Sequence, residues 1–141
     1  MASAIYNNYK ESMLNGGIDL ENDTIKVALC TSSYTPDIDA DEFYDDIDNE
    51  VANGSGYTTG GETISNPAVT QDDVNDQAVF TADATTWTSS TITARYAVIY
   101  KDTGTASTSP LIGYIDFAED KSSVSGDFTI NWDEDGILTV A

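Results

Sequence analysis

The sequence predicts an all-β chain: an antiparallel β-sandwich or jelly-roll-like barrel with a short N-terminal helix. Three observations predict it. Residues 92–140 alternate apolar and polar side chains at the two-residue period of strands. Gaps rich in Gly, Asn, Asp and Ser divide the chain into several short apolar runs. Threonine is abundant, and its branched side chain suits a pleated, half-exposed surface. At 141 residues the chain is expected to form one β-domain, 1–141. A chain of this size buries about 68–70% of its unfolded surface, so a hydrophobic core suffices without disulfides.

The elements follow in order. Residues 3–15 read as an amphipathic helix, with Ile5, Tyr9 and Met13 four apart on one face and Tyr6 and Leu14 beside it. Ser3 is placed to cap its start, and Gly16-Gly17 to stop it. Alone it is too short to be stable, so residues 1–17 are expected to dock as a tether, on the chain's own sheet or on a neighbouring subunit. Ile5, Tyr9 and Met13 are therefore the interface candidates. Residues 24–31 read as a strand, and 32–56 as an irregular acidic loop ending in the Asn53-Gly54-Ser55-Gly56 turn. Residues 57–64 bend into a short strand. Further strands are expected near 67–70, 77–81 and 85–88, then at 94–101, 111–117 and 127–132. Phe128, Ile130 and Trp132 fall on one face of the last of these and are expected to be core. Asp133 to Gly136 turn the chain so that 137–140 pairs back antiparallel. No internal repeat is visible.

The charge balance excludes some partners. Twenty-five acidic residues face five basic ones (Lys10, Lys26, Arg95, Lys101 and Lys121), for a net charge of −20. Nucleic-acid backbones and anionic membrane surfaces both draw affinity from Lys and Arg, so neither is an expected partner. No run approaches the ~20 apolar residues of a membrane span. No basic start followed by an apolar block marks a secretory signal, so folding in a cytoplasm is expected. Cys30, the single cysteine, sits in an apolar alternation and reads as a small buried residue. The chain has no histidine to activate a nucleophile.

Residues 37–50 hold eight carboxylates. Asp37, Asp39 and Asp41 have the spacing that offers oxygens to Ca²⁺, with Asp45 at the ninth loop position. Glu42 stands where such a loop needs glycine, and Asp48 where a bidentate glutamate is usual. The segment therefore reads as a solvated, mobile acidic loop, and no metal or other cofactor is expected. Close carboxylate pairs could act on a sugar, but spacing selects none of them, and no catalytic residue is expected. Gly54-Ser55-Gly56 and Gly60-Gly61 lack the lysine and βαβ context of a phosphate cradle and read as turns. Tyr34, Tyr44, Tyr57, Trp87 and Tyr114 are candidates for a glycan platform, if exposed, and core or edge residues otherwise.

Four segments together resemble a family of small structural proteins of tailed-bacteriophage particles. They are the N-terminal helix with the Gly17–Leu29 stretch, the Gly56-Tyr57-Thr58-Thr59-Gly60-Gly61 turn, Arg95-Tyr96-Ala97-Val98-Ile99-Tyr100-Lys101-Asp102, and Pro110-Leu111-Ile112-Gly113-Tyr114-Ile115-Asp116-Phe117 with the Trp132–Val140 ending. The resemblance spans most of the chain apart from 37–50, and its motifs are structural rather than catalytic. It implies a capsid decoration (cement) protein on the exterior of the virion. Such a protein staples neighbouring capsomers by contacts with the major capsid protein, commonly as a homotrimer. A tail- or fibre-associated adhesion module that binds host surface glycans is the alternative.

Overall fold

The computed structural model describes residues 1–141 and is a two-sheet β-sandwich with one short helix. The strands are β1 (Ala4–Ile5), β2 (Ile25–Cys30), β3 (Glu62–Thr63), β4 (Ala68–Asp72), β5 (Gln77–Thr81), β6 (Thr85–Lys101), β7 (Leu111–Ile130) and β8 (Leu138–Val140), and the helix α1 is Asn7–Asn15. One sheet has the order β1-β7-β6-β2-β3 and the other β4-β5-β8. Every pairing is antiparallel.

Two long strands replace four expected short ones. The 85–88 and 94–101 runs are the ends of the 17-residue β6, and the 111–117 and 127–132 runs are the ends of the 20-residue β7. Bulges hide their continuity. The β6–β7 register shifts between Trp87 and Ser90, Ser90 and Ile92, Ala94 and Tyr96, and Ile99 and Tyr100. Ser89, Ala118 and Ser125 carry left-handed φ values of 49°, 66° and 46°. Each extra residue flips the inward face, so alternation restarts out of phase. Ile92 and Ala94 point into the same core as Ala97 and Ile99, across the slip.

The five-stranded sheet is covered on both faces. Between it and the small sheet lies the larger core, with Val27, Leu29, Trp87, Ile99, Phe128 and Leu138 among its members. On the opposite face Tyr6, Ala28, Cys30, Tyr34, Val98, Tyr100 and Leu111 form a second core. The supposed solvated loop covers that face: Tyr34, Ile38, Tyr44 and Ile47 pack down, Asp37, Asp39, Glu42, Asp45, Asp46 and Asp48 are exposed, and Asp41 and Glu50 are half-buried. The loop is also stitched to the body. Cys30 bridges to Glu50 and Phe43 to Pro110, and a 3-10 turn occupies Tyr44–Asp46. Buried backbone groups need partners, and these bridges provide them.

Four expectations near the termini are corrected. The helix begins at Asn7, not residue 3, because residues 4–5 pair with Tyr114 and Gly113 of β7. Ser3 is therefore no cap, and its Oγ accepts from the Asp116 N–H at 2.8 Å. Gly16 does close the helix in the left-handed conformation at φ 74°. At the other end β8 does not pair back on β7. It crosses to β5, with the Ile137 N–H donating to the Phe80 carbonyl at 2.6 Å. Trp132 lies beyond the end of β7, half-buried at the rim of the larger core, while Trp87 is the fully buried tryptophan.

One glycine is required by close approach. At Gly61, φ is 78° and an added Cβ would stand 1.7 Å from the Val27 carbonyl oxygen. Only glycine lets the turn press β3 onto β2 there.

Candidate functional site

The residues singled out for metal binding do not converge, and no three His, Cys, Asp or Glu side chains are grouped to hold an ion. Their oxygens serve the loop's own backbone and neighbours. Asp37 Oδ1 accepts from the Asp39 and Ala40 N–H groups at 3.0 and 3.1 Å. Asp39 accepts from the Asn7 side chain. Asp41 Oδ2 accepts from the Asp37 N–H at 3.0 Å and the Tyr34 hydroxyl at 2.7 Å. Asp45 is exposed on the 3-10 turn. The Asp-x-Asp-x-Asp spacing here is a set of side-chain turns, a local bonding mode for which aspartate is well suited.

The glycan-platform candidates are also mostly internal. Tyr34, Tyr57 and Trp87 are buried, and Tyr44 and Tyr114 are half-buried. They belong to a tyrosine layer: Tyr44 stacks on Tyr100 at 4.7 Å, Tyr34 meets Tyr96 edge-on at 5.8 Å, and Tyr114 contacts both Tyr6 and Tyr96. Tyr57 stacks on Trp87 at 6.3 Å in the other core. The hydroxyls converge on two carboxylates. Tyr34 donates to Asp41 and shares a 2.9 Å bond with Tyr6. Glu50 accepts from the Tyr44 and Tyr57 hydroxyls and from the Gly60 N–H at 2.7 Å. Burial first holds the Tyr34, Tyr44 and Tyr57 hydroxyls far above the ordinary phenol range, followed by Tyr6 and then Asp41 for Tyr34 and by the Glu50 carboxylate for Tyr44 and Tyr57. Burial likewise pushes the Cys30 thiol up to about 12, so it is not poised as a nucleophile near neutrality.

The three interface candidates separate. Ile5 is in β1, half-buried against the larger core. Tyr9 and Met13, one turn apart on α1, line an apolar groove of about 220 Å³ between the helix and the small sheet. Leu20, Val69, Ala78, Val79, Phe80, Leu138 and Val140 complete its walls, and no charged side chain lines it. The register explains the overhang. Val69, Phe80 and Leu138 stand side by side on one face, and the next row on that face, Gln71, Ala78 and Val140, reaches past the core. Met13, Val69 and Val140 are 37%, 42% and 36% exposed, so apolar surface faces solvent on a molecule that is otherwise acidic.

The groove continues into two depressions that carry acidic side chains. One shares Tyr9, Leu20 and Val69 with it and carries Asp19 and Glu21. The other shares Ala78 and Val140 and carries Asp72, Asp73 and Asp76. Hydrogen bonds from Asn22 and Asn75 lower the pKa values of Asp19 and Asp72, so both are ionised at neutral pH. No lysine or arginine lines any part of the trough. Sequence periodicity singled out Tyr9 and Met13, but Val69 and Val140 were legible only as strand residues.

The fold and trough define an acidic two-sheet β-sandwich protein with an exposed apolar groove. Compared with known proteins, the chain matches no family model, no curated protein and no solved structure.

Proposed function

We propose that this chain is a virion structural protein, a capsid decoration protein that stabilises a phage head by bridging capsomers of the major capsid protein from the outside. The observation that carries the reading is the apolar groove holding Tyr9 and Met13 on a surface with a net charge of −20. Such a surface resists non-specific association, so an exposed apolar strip points to one specific attachment. The resemblance of the four sequence segments supplies the particle context, and with it the trimer. Repeated weak contacts from a trimer would become collectively tight, since attachment of one arm raises the effective concentration of the next.

The test is direct. Purified chain is sedimented to obtain its oligomeric state, then mixed with undecorated heads and imaged with a label on the chain. A trimer that decorates the outer shell at regular lattice positions is expected. A monomer that fails to bind heads would end the reading. Label confined to tails or fibres would move the assignment to the glycan-binding adhesion module.

A further inference from the structure

We infer that the trough between α1 and the β4-β5-β8 sheet docks a peptide segment of a partner protein, apolar in its middle and carrying Lys or Arg on both sides. Assigning that segment to the shell protein rests on the decoration reading above; the chemistry of the occupant does not.

The three depressions share lining residues and form one trough, apolar at its centre and acidic at its ends. No charged side chain lines its centre. Asp19 and Glu21 stand at one end, and Asp72, Asp73 and Asp76 at the other. Lys26, Arg95 and Lys121 are engaged elsewhere, with Asp102, Asp116 and Glu119, while Lys101 stands behind the Asp19 end, paired with Asp23 and donating to the Gly17 carbonyl. Lys10, the fifth, bonds to Asn7 and is not a lining residue. The Asp72, Asp73 and Asp76 end therefore pairs with no cation of the chain, and the Asp19 and Glu21 end has only Lys101 behind it, already paired with Asp23, so an apolar ligand without cations would leave acidic groups facing its flanks. A second copy of this chain is the poorer occupant. It would bring another −20 charge to the same acidic ends and has only five cations to offer. Apolar burial supplies the affinity in such a site, and the flanking charges supply orientation and encounter rate.

The probe is a fluorescein-labelled synthetic peptide, Lys-Lys-Leu-Val-Ala-Leu-Lys-Lys, with a control in which the four central residues are serine. Binding to the full-length chain is read by fluorescence anisotropy near physiological salt. The apolar-centred peptide is expected to bind at least about tenfold more tightly than the serine control. Val69→Arg with Val140→Arg should lower its affinity about tenfold or more, by blocking the floor and repelling the flanks. Asp73→Asn with Asp76→Asn should give a smaller loss that vanishes at high salt. Asp127→Asn with Glu134→Gln, outside the trough, should leave affinity within about twofold. All these positions are exposed or lie at the surface, and an unchanged melting temperature verifies that each variant folds; Met13→Arg serves if the double arginine does not.

Equal binding of the serine control, or full affinity in the arginine variant, would overturn the inference. So would concentration-dependent self-association that the same arginines abolish, since a second copy would then be the occupant. Undecorated heads separate this inference from the decoration reading. Head binding that survives the arginines removes the groove and leaves decoration standing. A chain that takes the peptide in the groove but is captured by no head supports the groove and removes decoration.

Discussion

Trp87 and Trp132 show how much a residue's neighbours decide. Both fall in runs that read as strands, but Trp87 is 1% exposed, edge-on to Phe128 at 5.9 Å and stacked by Tyr57. Its Nε1–H has no partner, an unusual cost in a core that the ring's apolar burial must outweigh. Trp132 is half-buried and donates to Thr85 Oγ1 at 3.3 Å. Trp87→Ala is therefore expected to cost about 3–5 kcal/mol, as large aromatic truncations in cores do. Trp132→Ala should cost about half that or less, and urea denaturation of the two variants measures the difference. Glu50 is the second decisive residue, because three donors meet on one carboxylate. Glu50→Ala would strand the buried Tyr57 hydroxyl and is expected to cost about 1–3 kcal/mol. Glu50→Gln, which keeps an acceptor oxygen, should cost less, and an equal loss in both variants would mean that charge rather than the hydrogen bond matters.

At the scale of elements, the tyrosine layer and the loop that covers it act together. The Tyr6, Tyr34, Tyr44 and Tyr100 hydroxyls all have pKa values raised, chiefly by burial. A phenol is an acid whose neutral form is favoured here. Its contribution to stability is fully present below the unfolded value near 10 and is lost as pH rises above it, because only the unfolded chain then releases the proton. Base titration followed at 295 nm should therefore show these phenols ionising together with the loss of near-ultraviolet circular dichroism. Smooth ionisation near pH 10 with tertiary signal intact would show that the loop opens independently of the body. Residues 1–6 are equally integral. Ala2, Ser3 and Tyr6 donate backbone hydrogen bonds to Ile137, Tyr114 and Ile112, and Tyr6 and Tyr9 are buried in the two cores. Removing residues 1–15 would thus unfold part of the body, which is why point substitutions in the groove are the cleaner test of attachment.

For the whole molecule, charge is the dominant external lever. The accessible surface is 7113 Å², and it carries a net −20 with only four ion pairs. Compactness brings those charges closer than the unfolded chain does, and self-repulsion opposes folding. Raising the salt from low ionic strength to about 1 M shortens the Debye length to about 3 Å. The melting temperature is expected to rise over that range. A fall would mean that the surface ion pairs outweigh the repulsion, against the small worth of exposed pairs.

The sequence by itself determined the all-β class, the strand positions of β2, β4, β5 and β8 to within a residue or two, the helix stop at Gly16 and the burial of Cys30. These depend on local period, turn chemistry and side-chain size, which are written in neighbouring residues. Tertiary structure alone decided the rest. The one-residue bulges at Ser89 and Ser125 and the three-residue irregularity around Ala118 join runs that look separate, because an odd insertion breaks the alternation by which a strand is read. The pairing of β8 with β5 rather than β7 is a competition between distant partners that no local pattern encodes. In the acidic loop the carboxylates dominated the reading, although Tyr34, Ile38, Tyr44 and Ile47 were present to signal a buried face. The groove belongs to the same class: Tyr9, Met13, Val69 and Val140 are up to 131 positions apart, and only the packing of α1 beside an overhanging sheet makes them one surface.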